Sequence, residues 1–391
     1  MHFGLSLPTV WGVKLEVEIA PSLADVRPDE WNALCAPDDP FMEHGFLRLL
    51  EESGSVGSVE SGWMPRHLLA RREGALVAAM PLYLKTHSYG EFIFDFGWAQ
   101  AARRAGLPYY PKLVCAAPFT PAGGRRLLVP DGDERDVLTE VLISAAHEVA
   151  KREHASSLHV LFCREDERER LEALGLHGRT STQYHFENDG SLATFDDFLS
   201  ALRNASRKQV RKERERARSY GLTLAMRPFS TLTPRDVAAM WTFYRRTVDS
   251  HGAEAYLRRG FFQKLGDNPH AYAAMAHDGA EPVAGALFFE KGGSLFGRYW
   301  GAVRDLPMLH FELCYYLPLE WGLARGLRRF EAGAQGEHKI KRGFLPNTCH
   351  SAHWAAHPGL NRAIAEFVRE EAGYVAASQD MLAESTPFKR A

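Results

Sequence analysis

The chain contains the same order of secondary-structure signals twice, roughly two hundred residues apart. Residues 69–85 and residues 275–291 both have the pattern of a strand, a charged glycine turn and a second strand. A helical stretch and a short strand follow each hairpin: Val137–Arg152 with Leu158–Phe162, and Met308–Arg325 with Leu327–Glu331. A single hairpin is common, but a repeated order of four elements favours duplication of one α/β module.

The length of the chain also favours two modules. Its 391 residues exceed the size at which one hydrophobic core stops growing. A turn-rich break near residue 190 predicts a first module over 15–190 and a second over 191–391. Just beyond the break, Thr194 and Asp197 have the spacing of an N-terminal helix cap. We therefore expect an α/β (α+β) fold in which each module is a mixed sheet flanked by helices.

Charge and cysteine content exclude several classes of protein. The formal net charge is −2, so no overall field draws the chain to nucleic acid or lipid. The five cysteines lie far apart without a CxxC pair, which argues against a zinc ribbon and against a secreted disulfide framework. No apolar run of about 18 residues occurs, so we expect no stable membrane insertion. These features are typical of a cytoplasmic protein.

The second module opens with a basic segment over 203–218, and its arginines recur at helical spacing. They are Arg203, Arg207, Arg211, Arg214 and Arg218. On a helix they share one face, where like charges repel unless an anion lies across them. Arginine binds phosphate oxygens in pairs. Two interpretations remain open: a phosphate-binding face, or a solvated helix whose charges are relieved by Glu213 and Glu215.

A strand-to-helix junction in the second module provides candidate catalytic residues. Asp305 is predicted to cap the helix, with Pro307 in its first turn. His310 and Glu312 would then lie near the helix end that favours anions, at a type of junction where α/β folds place sites. The alternative is that both residues are structural. Pro318 is predicted to kink the helix, because it lacks an amide proton.

The segment 330–344 has the composition of a functional loop, with two glycines among acidic and basic side chains. It contains Glu331, His338, Lys339 and Arg342. Neither a dinucleotide-binding glycine motif nor a P-loop occurs in the chain. A group of possible metal ligands follows in an extended stretch that would point them to opposite faces, so we expect no metal site. These residues are Cys349, His350, His353 and His357.

In the first module an aromatic segment is interrupted by Asp95, a carboxylate that must pair with a cation or shift its pKa. Proline-containing loops then present Tyr109, Tyr110 and Lys112, which favours a preorganised binding wall. The alternative is that the aromatic residues form core and the tyrosines cover it. Those aromatic residues are Phe92, Phe94, Phe96 and Trp98.

These segments together resemble a bacterial family of N-acyltransferases called FemAB-like, or peptidoglycan biosynthesis/recognition, proteins. The resemblance covers roughly residues 20–369. Its motifs lie at residues 39–47, 50–55, 109–113, 118–121, 297–301, 310–312, 330–339 and 342–344.

The resemblance implies a more distant similarity to the Fem-type peptidoglycan aminoacyltransferases. Those enzymes have two GNAT-like modules and transfer an amino acid from aminoacyl-tRNA to an amine of a peptidoglycan precursor. Their basic helix near the module boundary helps to bind phosphorylated substrate. By resemblance, Arg207, Arg211 and Arg214 would have that role here.

The chain departs from the coenzyme A-binding pattern of GNAT enzymes. That pattern has a glycine-containing turn before the helix, whose amides bind the pyrophosphate. The corresponding stretch here, Val303–Met308, contains no glycine, and Asp305 stands where the anion would lie. We therefore expect no tightly bound cofactor, and either acyl-CoA or aminoacyl-tRNA remains open as co-substrate.

We predict an acyl- or aminoacyltransferase that acts on an amine, either of a small molecule or of a peptidoglycan precursor. Backbone amides around Trp300 are the predicted oxyanion donors. The predicted bases are His310, Glu312, Glu331 or His338. The predicted substrate-binding residues are Asp95, Tyr109, Tyr110, Lys112, Arg207, Arg211, Arg214, Arg298, Lys339 and Arg342. Two alternatives remain: an acyl-CoA-dependent enzyme that makes an N-acyl amino acid or amine, and an inactive tandem that binds tRNA or a cell-wall precursor.

Overall fold

The structure is a computed structural model and describes residues 5–6, 15–333 and 336–389. The chain divides into two compact units. The first comprises Met1–Ser181 and Thr348–Ala376, and the second Thr182–Asn347 and Ala377–Ala391. The division expected from sequence at residue 190 differs from this one, because residues 348–376 belong with the first unit.

The first unit contains two sheets and the helices around them. Its strands are β1 (Leu5–Ser6), β2 (Leu15–Ala20), β3 (Trp63–Pro65), β4 (His67–Arg72), β5 (Ala75–Met80), β6 (Leu82–Lys85), β7 (Lys112–Cys115) and β8 (Ser157–Cys163). Its helices are α1 (Pro28–Asn32), α2 (His44–Glu52), α3 (Phe96–Arg104), α4 (Arg135–Arg152) and α5 (Glu165–Ala173). One sheet has the order β1-β2-β4-β5, and the other contains β3-β6-β7-β8. Strands β7 and β8 are parallel neighbours.

Pro81 divides the second strand of the first predicted hairpin between the two sheets. Strand β5 ends at Met80 and pairs with β4, whereas β6 begins at Leu82 and pairs with β3 and β7. Because proline cannot donate a ladder hydrogen bond, it suits the point at which the chain leaves one sheet for the other.

The second unit has one helix-flanked sheet. Strand β9 (His177–Glu187) contains the boundary between the units, and the strands that follow are β10 (Thr223–Pro228), β11 (Ala271–Asp278), β12 (Glu281–Lys291), β13 (Ser294–Ala302) and β14 (Arg329–Glu331). The helices are α6 (Phe195–Ala201), α7 (Asn204–Arg218), α8 (Pro234–Ser250), α9 (Arg259–Lys264), α10 (Leu309–Phe311) and α11 (Leu317–Leu323). The strand order is β10-β11-β12-β13-β14-β9, with β13 and β14 parallel.

The last two elements also contain unit boundaries. They are β15 (Leu345–Ala355) and α12 (Pro358–Glu384). Within the first unit, residues 350–355 of β15 pair antiparallel with β8. This long-range pairing places residues 348–376 with the first unit, and no local sequence pattern indicates it.

The helices of the second unit confirm one predicted cap and correct another. Thr194 and Asp197 form the predicted capping box at the start of α6. Helix α10, in contrast, begins at Leu309 after Met308, whose φ is 70°, so that Asp305 and Pro307 lie in the preceding turn. A side chain at positive φ is costly and indicates a tightly constrained connection.

The predicted kink at Pro318 takes the form of a π-helical turn. Residues Glu312–Tyr316 form this turn, and Pro318 then lies near the start of α11. The wider turn accommodates a residue that lacks an amide proton, and such turns are frequent at functional sites. Among the described residues, no helix is long and apolar enough to cross a membrane.

Candidate functional site

Two parallel neighbours in the second unit, β13 and β14, separate partway along their length. Residues Ser294–Phe296 pair with Arg329–Glu331, and β13 then continues to Ala302 alongside β12. The β12–β13 register shifts at the same place, because Phe288 pairs with Gly297 but Leu287 pairs with Tyr299. Arg298 is therefore the extra residue of a bulge, an irregularity that often adjoins active sites.

A cavity lies against the free part of β13. Its lining comes from the end of α8, from β13 and the turn after it, and from the first turn of α10. The lining residues are Arg246, Thr247, Ser250, Trp300, Ala302, Val303, Arg304, Asp305, Leu306, Leu309 and His310. Thr247 donates a hydrogen bond to the carbonyl oxygen of Trp300 at 2.7 Å, which fixes α8 to the strand.

Gly301 allows α8 to lie this close to β13. A Cβ atom at this position would lie 2.0 Å from the backbone oxygen of Phe243. Any larger residue would have to push α8 away from the strand, and the cavity wall would shift with it. The close approach explains the need for glycine at the end of the Gly297–Gly301 motif.

His310 is half-buried in the wall of this cavity. Its ring packs edge-on against Trp300 and Tyr315, with centroid distances of 5.1 and 5.6 Å. Burial, and then the neighbouring His338, Arg342 and Lys339, together lower the pKa of His310 to about 4. The imidazole is therefore neutral at pH 7, and neither ring nitrogen has a hydrogen-bond partner in the described part of the chain.

The loop after β14 brings two predicted residues close to His310. The side chain of Lys339 is buried and donates to the carbonyl oxygen of Gly333 at 2.8 Å. Burial lowers the pKa of Lys339 to about 8. His338 is more exposed, and its Nε2 lies 3.2 Å from the hydroxyl of Tyr315. Partial burial, followed by the charges of Arg342 and Lys339, lowers the pKa of His338.

Glu312 and Arg214 satisfy each other in the protein interior. Glu312 is fully buried, and its carboxylate oxygens accept two hydrogen bonds of 3.0 Å from the Arg214 guanidinium. Arg214 also bonds Glu320 at 2.5 Å and covers the ring of Phe195. Arg218 reaches the same two carboxylates. Neither Glu312 as a base nor Arg214 as a phosphate ligand therefore belongs to the candidate site.

The repulsion among the arginines on this face of α7 is relieved by carboxylates that the sequence did not indicate. Glu312 and Glu320 provide the negative charge, whereas Glu213 accepts a hydrogen bond from Arg342 at 2.8 Å. Arg342 donates its other terminal nitrogen to the carbonyl oxygen of His338 and lies 3.5 Å over the ring of Phe311. Arg342 is thus an internal brace for the loop that carries His338 and Lys339, rather than a phosphate ligand.

The remaining arginines of this face are Arg203, which precedes α7, and Arg207 and Arg211 within the helix. Arg203 donates to the carbonyl oxygen of Phe388, and Arg207 donates to the side chain of Asn204. Arg211 is exposed, and no ion pair or hydrogen bond of its side chain occurs within the described residues. Arg211 is therefore the predicted phosphate ligand that the structure leaves most accessible.

Glu331 and Arg298 lie where β13 and β14 separate. Glu331 is 1% exposed, with Arg329 Nε at 3.3 Å and His185 Nε2 at 3.9 Å from its carboxylate oxygens. Arg298 donates to the carbonyl oxygen of Gly297 at 3.0 Å. Their roles as base and substrate ligand stay predictions.

In the first unit, the predicted binding wall is a buried ionic cluster. The ammonium of Lys112 bonds Asp95, Glu91 at 2.7 Å and Ser88 at 2.9 Å, and Tyr109 donates to Asp95 at 2.5 Å. Burial alone would raise the pKa of Asp95, but Lys112 holds it below its ordinary value. Since Asp95, Tyr109 and Lys112 are all at most 5% exposed, they support the structure rather than contact a ligand directly. The half-buried Tyr110 remains accessible.

The parallel pair β7–β8 of the first unit has no comparable opening. Beyond its last paired residue, β8 is bonded by the returning chain: Gly124 donates to the carbonyl oxygen of Phe162, and Arg126 to that of Leu161. Arg126 is 1% exposed and also pairs with Asp39 at 3.2 Å. The chain itself fills this region, which favours the second unit as the location of the site.

Residues 22–390 match the model of the FemAB-like family, described as peptidoglycan biosynthesis/recognition. The chain belongs to this family. A search of curated proteins found no match. The predicted enzyme class, a transferase, is confirmed at this level, and the description of the family connects it with peptidoglycan.

Solved structures show the same fold. FemX is 12% identical, with a TM-score of 0.52 over 87% of this chain and 98% of its own. The C-terminal domain of a putative lysylphosphatidylglycerol synthetase from Agrobacterium fabrum is 10% identical, with a TM-score of 0.52 over 88% and 95%. A tandem GNAT protein from the clavulanic acid pathway is 16% identical, with a TM-score of 0.44 over 88% and 99%. The similarity to FemX confirms the predicted α/β fold.

Sequence reasoning missed Arg246 and Thr247 of α8. Arg246 lines the cavity, is exposed and has no ion-pair partner in the part of the chain that the structure describes. The helix itself begins with a capping box at Thr233, so its existence was predictable. Its contact with β13 connects residues 53 positions apart, and no local pattern indicates that.

Proposed function

We propose that this chain transfers an acyl or aminoacyl group from an activated ester or thioester to an amine, in the cavity beside His310. The observation that supports this most directly is the separation of β13 from β14 next to a cavity lined by a neutral, unbonded imidazole. A neutral imidazole can accept a proton, and the open edge of a strand offers amides to a carbonyl oxygen.

The reaction requires no covalent enzyme intermediate. The amine nitrogen attacks the carbonyl carbon, a C–N bond forms, and the carbonyl oxygen becomes negatively charged. His310 accepts the proton that the nitrogen loses. The bond to the leaving oxygen or sulfur then breaks, and the leaving group takes up that proton.

The charge around His310 suits this transition state. Lys339, one of the positive groups that lower the pKa of His310, would also stabilise a developing oxyanion. Backbone amides near Trp300 are the further donors that we propose. The description of the family supports an acceptor amine on a peptidoglycan precursor.

The donor distinguishes this proposal from a coenzyme A-dependent enzyme. The turn over 303–308 has no glycine, and Asp305 is exposed beside the start of α10. In isothermal titration we therefore expect acetyl-CoA and longer acyl-CoAs to show no saturation below about 1 mM, because the backbone nest for a pyrophosphate is missing. Micromolar binding that is lost when residues 303–308 are changed would contradict this and favour the coenzyme A-dependent alternative.

Binding of a phosphorylated donor through the cavity should depend on Arg246. Arg246→Gln tests this, with Arg245→Gln as the matched control, because Arg245 is already paired with Asp249 at 2.9 Å. An equal loss of donor binding in both variants would mean that Arg246 makes no specific contact with the donor.

A nucleic-acid donor would also contact the arginine face. We expect Arg211→Gln to weaken tRNA binding and to reduce the slope of log K against log salt by about 0.9, the value for one lost phosphate contact. Arg216→Gln, on the opposite side of α7, should leave the slope unchanged. Melting temperatures should stay equal, since both side chains are exposed. Equal slopes for the wild type and Arg211→Gln would mean that the arginine face of α7 is purely structural.

A further inference from the structure

Another cavity of the second unit lies along the first half of α8. Its volume is about 460 Å³, which is within the range of small-molecule sites in proteins. Its walls come from α8, from α9, from the turn Phe229–Thr231 before α8 and from the turn Leu265–Asp267 after α9. It shares no lining residue with the cavity beside His310, so the two cavities are separate sites on one helix.

Apolar side chains form one wall of this cavity. Leu232, Val237 and Trp241 line it and are half-buried. The ring of the fully buried Phe262 lies 5.8 Å from that of Trp241, and the ring of Tyr244 contacts both, at 5.5 Å from Phe262 and 5.8 Å from Trp241. The indole of Trp241 is thus held by two packed rings, and it offers a preorganised aromatic surface to a ligand.

Four polar groups of the cavity lack a partner. Arg259 and Gln263 are exposed and lie four residues apart on α9, which places them on one face of that helix. Ser230 is exposed in the turn before α8. Within the residues that the structure describes, none of these three side chains makes a hydrogen bond or an ion pair, and neither does the indole N–H of Trp241.

The charge of the cavity favours an anion. Among its described lining residues, Arg259 is the one charged side chain, and none is a carboxylate. A guanidinium and an indole N–H only donate hydrogen bonds, which suits the oxygens of a carboxylate. An ammonium group on the ligand would find no lining carboxylate and would lie near Arg259. An aromatic acid without a positive charge therefore complements the cavity better than a free amino acid.

We infer that this cavity binds a small aromatic carboxylate that carries no ammonium group. Arg259 bonds the carboxylate, Gln263 and Ser230 supply further hydrogen bonds, and the aromatic ring packs against Trp241. The site is additional to the one beside His310, and the proposed function does not require it. Because α8 also carries Arg246 and Thr247, the ligand contacts the same helix that lines the proposed active site.

Three indole compounds test the parts of this inference. Indole-3-propionate has the ring and the carboxylate, indole-3-propionamide has a neutral amide instead, and tryptophan adds an ammonium group to the first compound. We expect the wild type to bind indole-3-propionate about tenfold more tightly than either of the others.

The readout is the indole N–H signal of Trp241 in NMR spectra of protein with ¹⁵N-labelled tryptophan. The chain has eight tryptophans, and the signal that is missing from Trp241→Phe belongs to Trp241. This signal should shift more than the others when indole-3-propionate is added. Binding is thereby located in the cavity, and it is measured without turnover.

Arg259→Gln should abolish the preference for the carboxylate and leave the affinity for the amide unchanged. The variant should fold like the wild type, because the side chain of Arg259 is exposed. Arg235→Gln is the matched control, since Arg235 is exposed on α8, lies outside the lining and is paired with Glu281. It should keep the tenfold preference of the wild type.

Several results would overturn the inference. These are no shift of the Trp241 signal at about 10 mM indole-3-propionate, equal affinity of the wild type for the acid and the amide, or the same loss in Arg259→Gln and Arg235→Gln. Octanoate is the competing probe, because it has the carboxylate but no ring. If octanoate shifted the Trp241 signal at the same concentration as indole-3-propionate, the cavity would not select an aromatic ligand.

Discussion

Replacement of His310 by glutamine should lower kcat/KM for transfer by about 10²–10⁴-fold, the usual contribution of a general base. Glutamine keeps a polar side chain of similar length but cannot accept the proton of the attacking amine. The fold should persist, because the imidazole makes no hydrogen bond within the described residues. The measurement is the rate of label transfer from aminoacyl-tRNA to an amine acceptor, at matched melting temperature.

Two other histidines sharpen this test. His357→Gln changes an exposed histidine of the first unit and should leave kcat/KM unchanged. His338→Gln replaces the second imidazole near the cavity, the one that contacts Tyr315. If kcat/KM fell strongly in His338→Gln but little in His310→Gln, His338 rather than His310 would be the base.

The pH profile gives a second measurement of the same role. Because the pKa of His310 is lowered to about 4, its neutral form persists from neutral pH down to about pH 5 and is lost as the pH falls through about 4. The ratio of kcat/KM between wild type and His310→Gln should therefore stay constant from about pH 5 to 7. Lys339, with a pKa of about 8, loses its charge above that pH, so oxyanion stabilisation should decline there.

The sequence predicted the elements of the fold better than their long-range partners. The hairpins, the helix at 135–152 and the capping box at Thr194 depend on residues close in the chain, so local patterns indicate them. The pairing of Arg214 with Glu312 joins residues 98 positions apart, and no spacing within either helix predicts it. The same limit explains why residues 348–376 were expected in the second module.

In the candidate site, too, local features were predictable from sequence and long-range ones were not. His310, His338 and Lys339 were predicted because junctions and glycine-containing loops attract functional residues, and the structure brings them near one another. Burial, however, decides which polar residues remain available, and a single sequence does not reveal burial. The sequence therefore predicted Glu312 as a base, and Arg342 and Lys112 as substrate ligands, although the charges of all three are satisfied inside the protein.

Lys112→Met should destabilise the protein by about 3–5 kcal/mol, because it leaves two buried carboxylates without their cation. Lys112 is 0% exposed, and Glu91 and Asp95 are each 4% exposed. Burial raises the pKa of Glu91 to about 7, with Lys112 opposing that rise. The free energy of unfolding in urea at pH 7, monitored by tryptophan fluorescence, gives the loss.

Lys85→Met is the matched control, since Lys85 is equally buried and pairs with Lys112 across β6 and β7. Its ammonium is 3.9 Å from Glu91 and is bonded to a carbonyl oxygen rather than to a carboxylate. Burial lowers the pKa of Lys85 to about 7, so about half of this group is uncharged at neutral pH. We therefore expect Lys85→Met to cost clearly less than Lys112→Met.

The pH dependence separates a lost ion pair from lost packing. In the wild type, Lys112 holds the pKa of Asp95 below its ordinary value, so the stability due to this pair is present at neutral pH and is lost as the pH falls through that pKa. In Lys112→Met the unpaired carboxylates take up protons more readily, so falling pH relieves their burial. The gap in unfolding free energy between wild type and variant should thus narrow from pH 7 to about pH 4. A gap that is constant with pH would mean that Lys112 contributes through the packing of its aliphatic chain, and that the aromatic segment above it is held by other contacts.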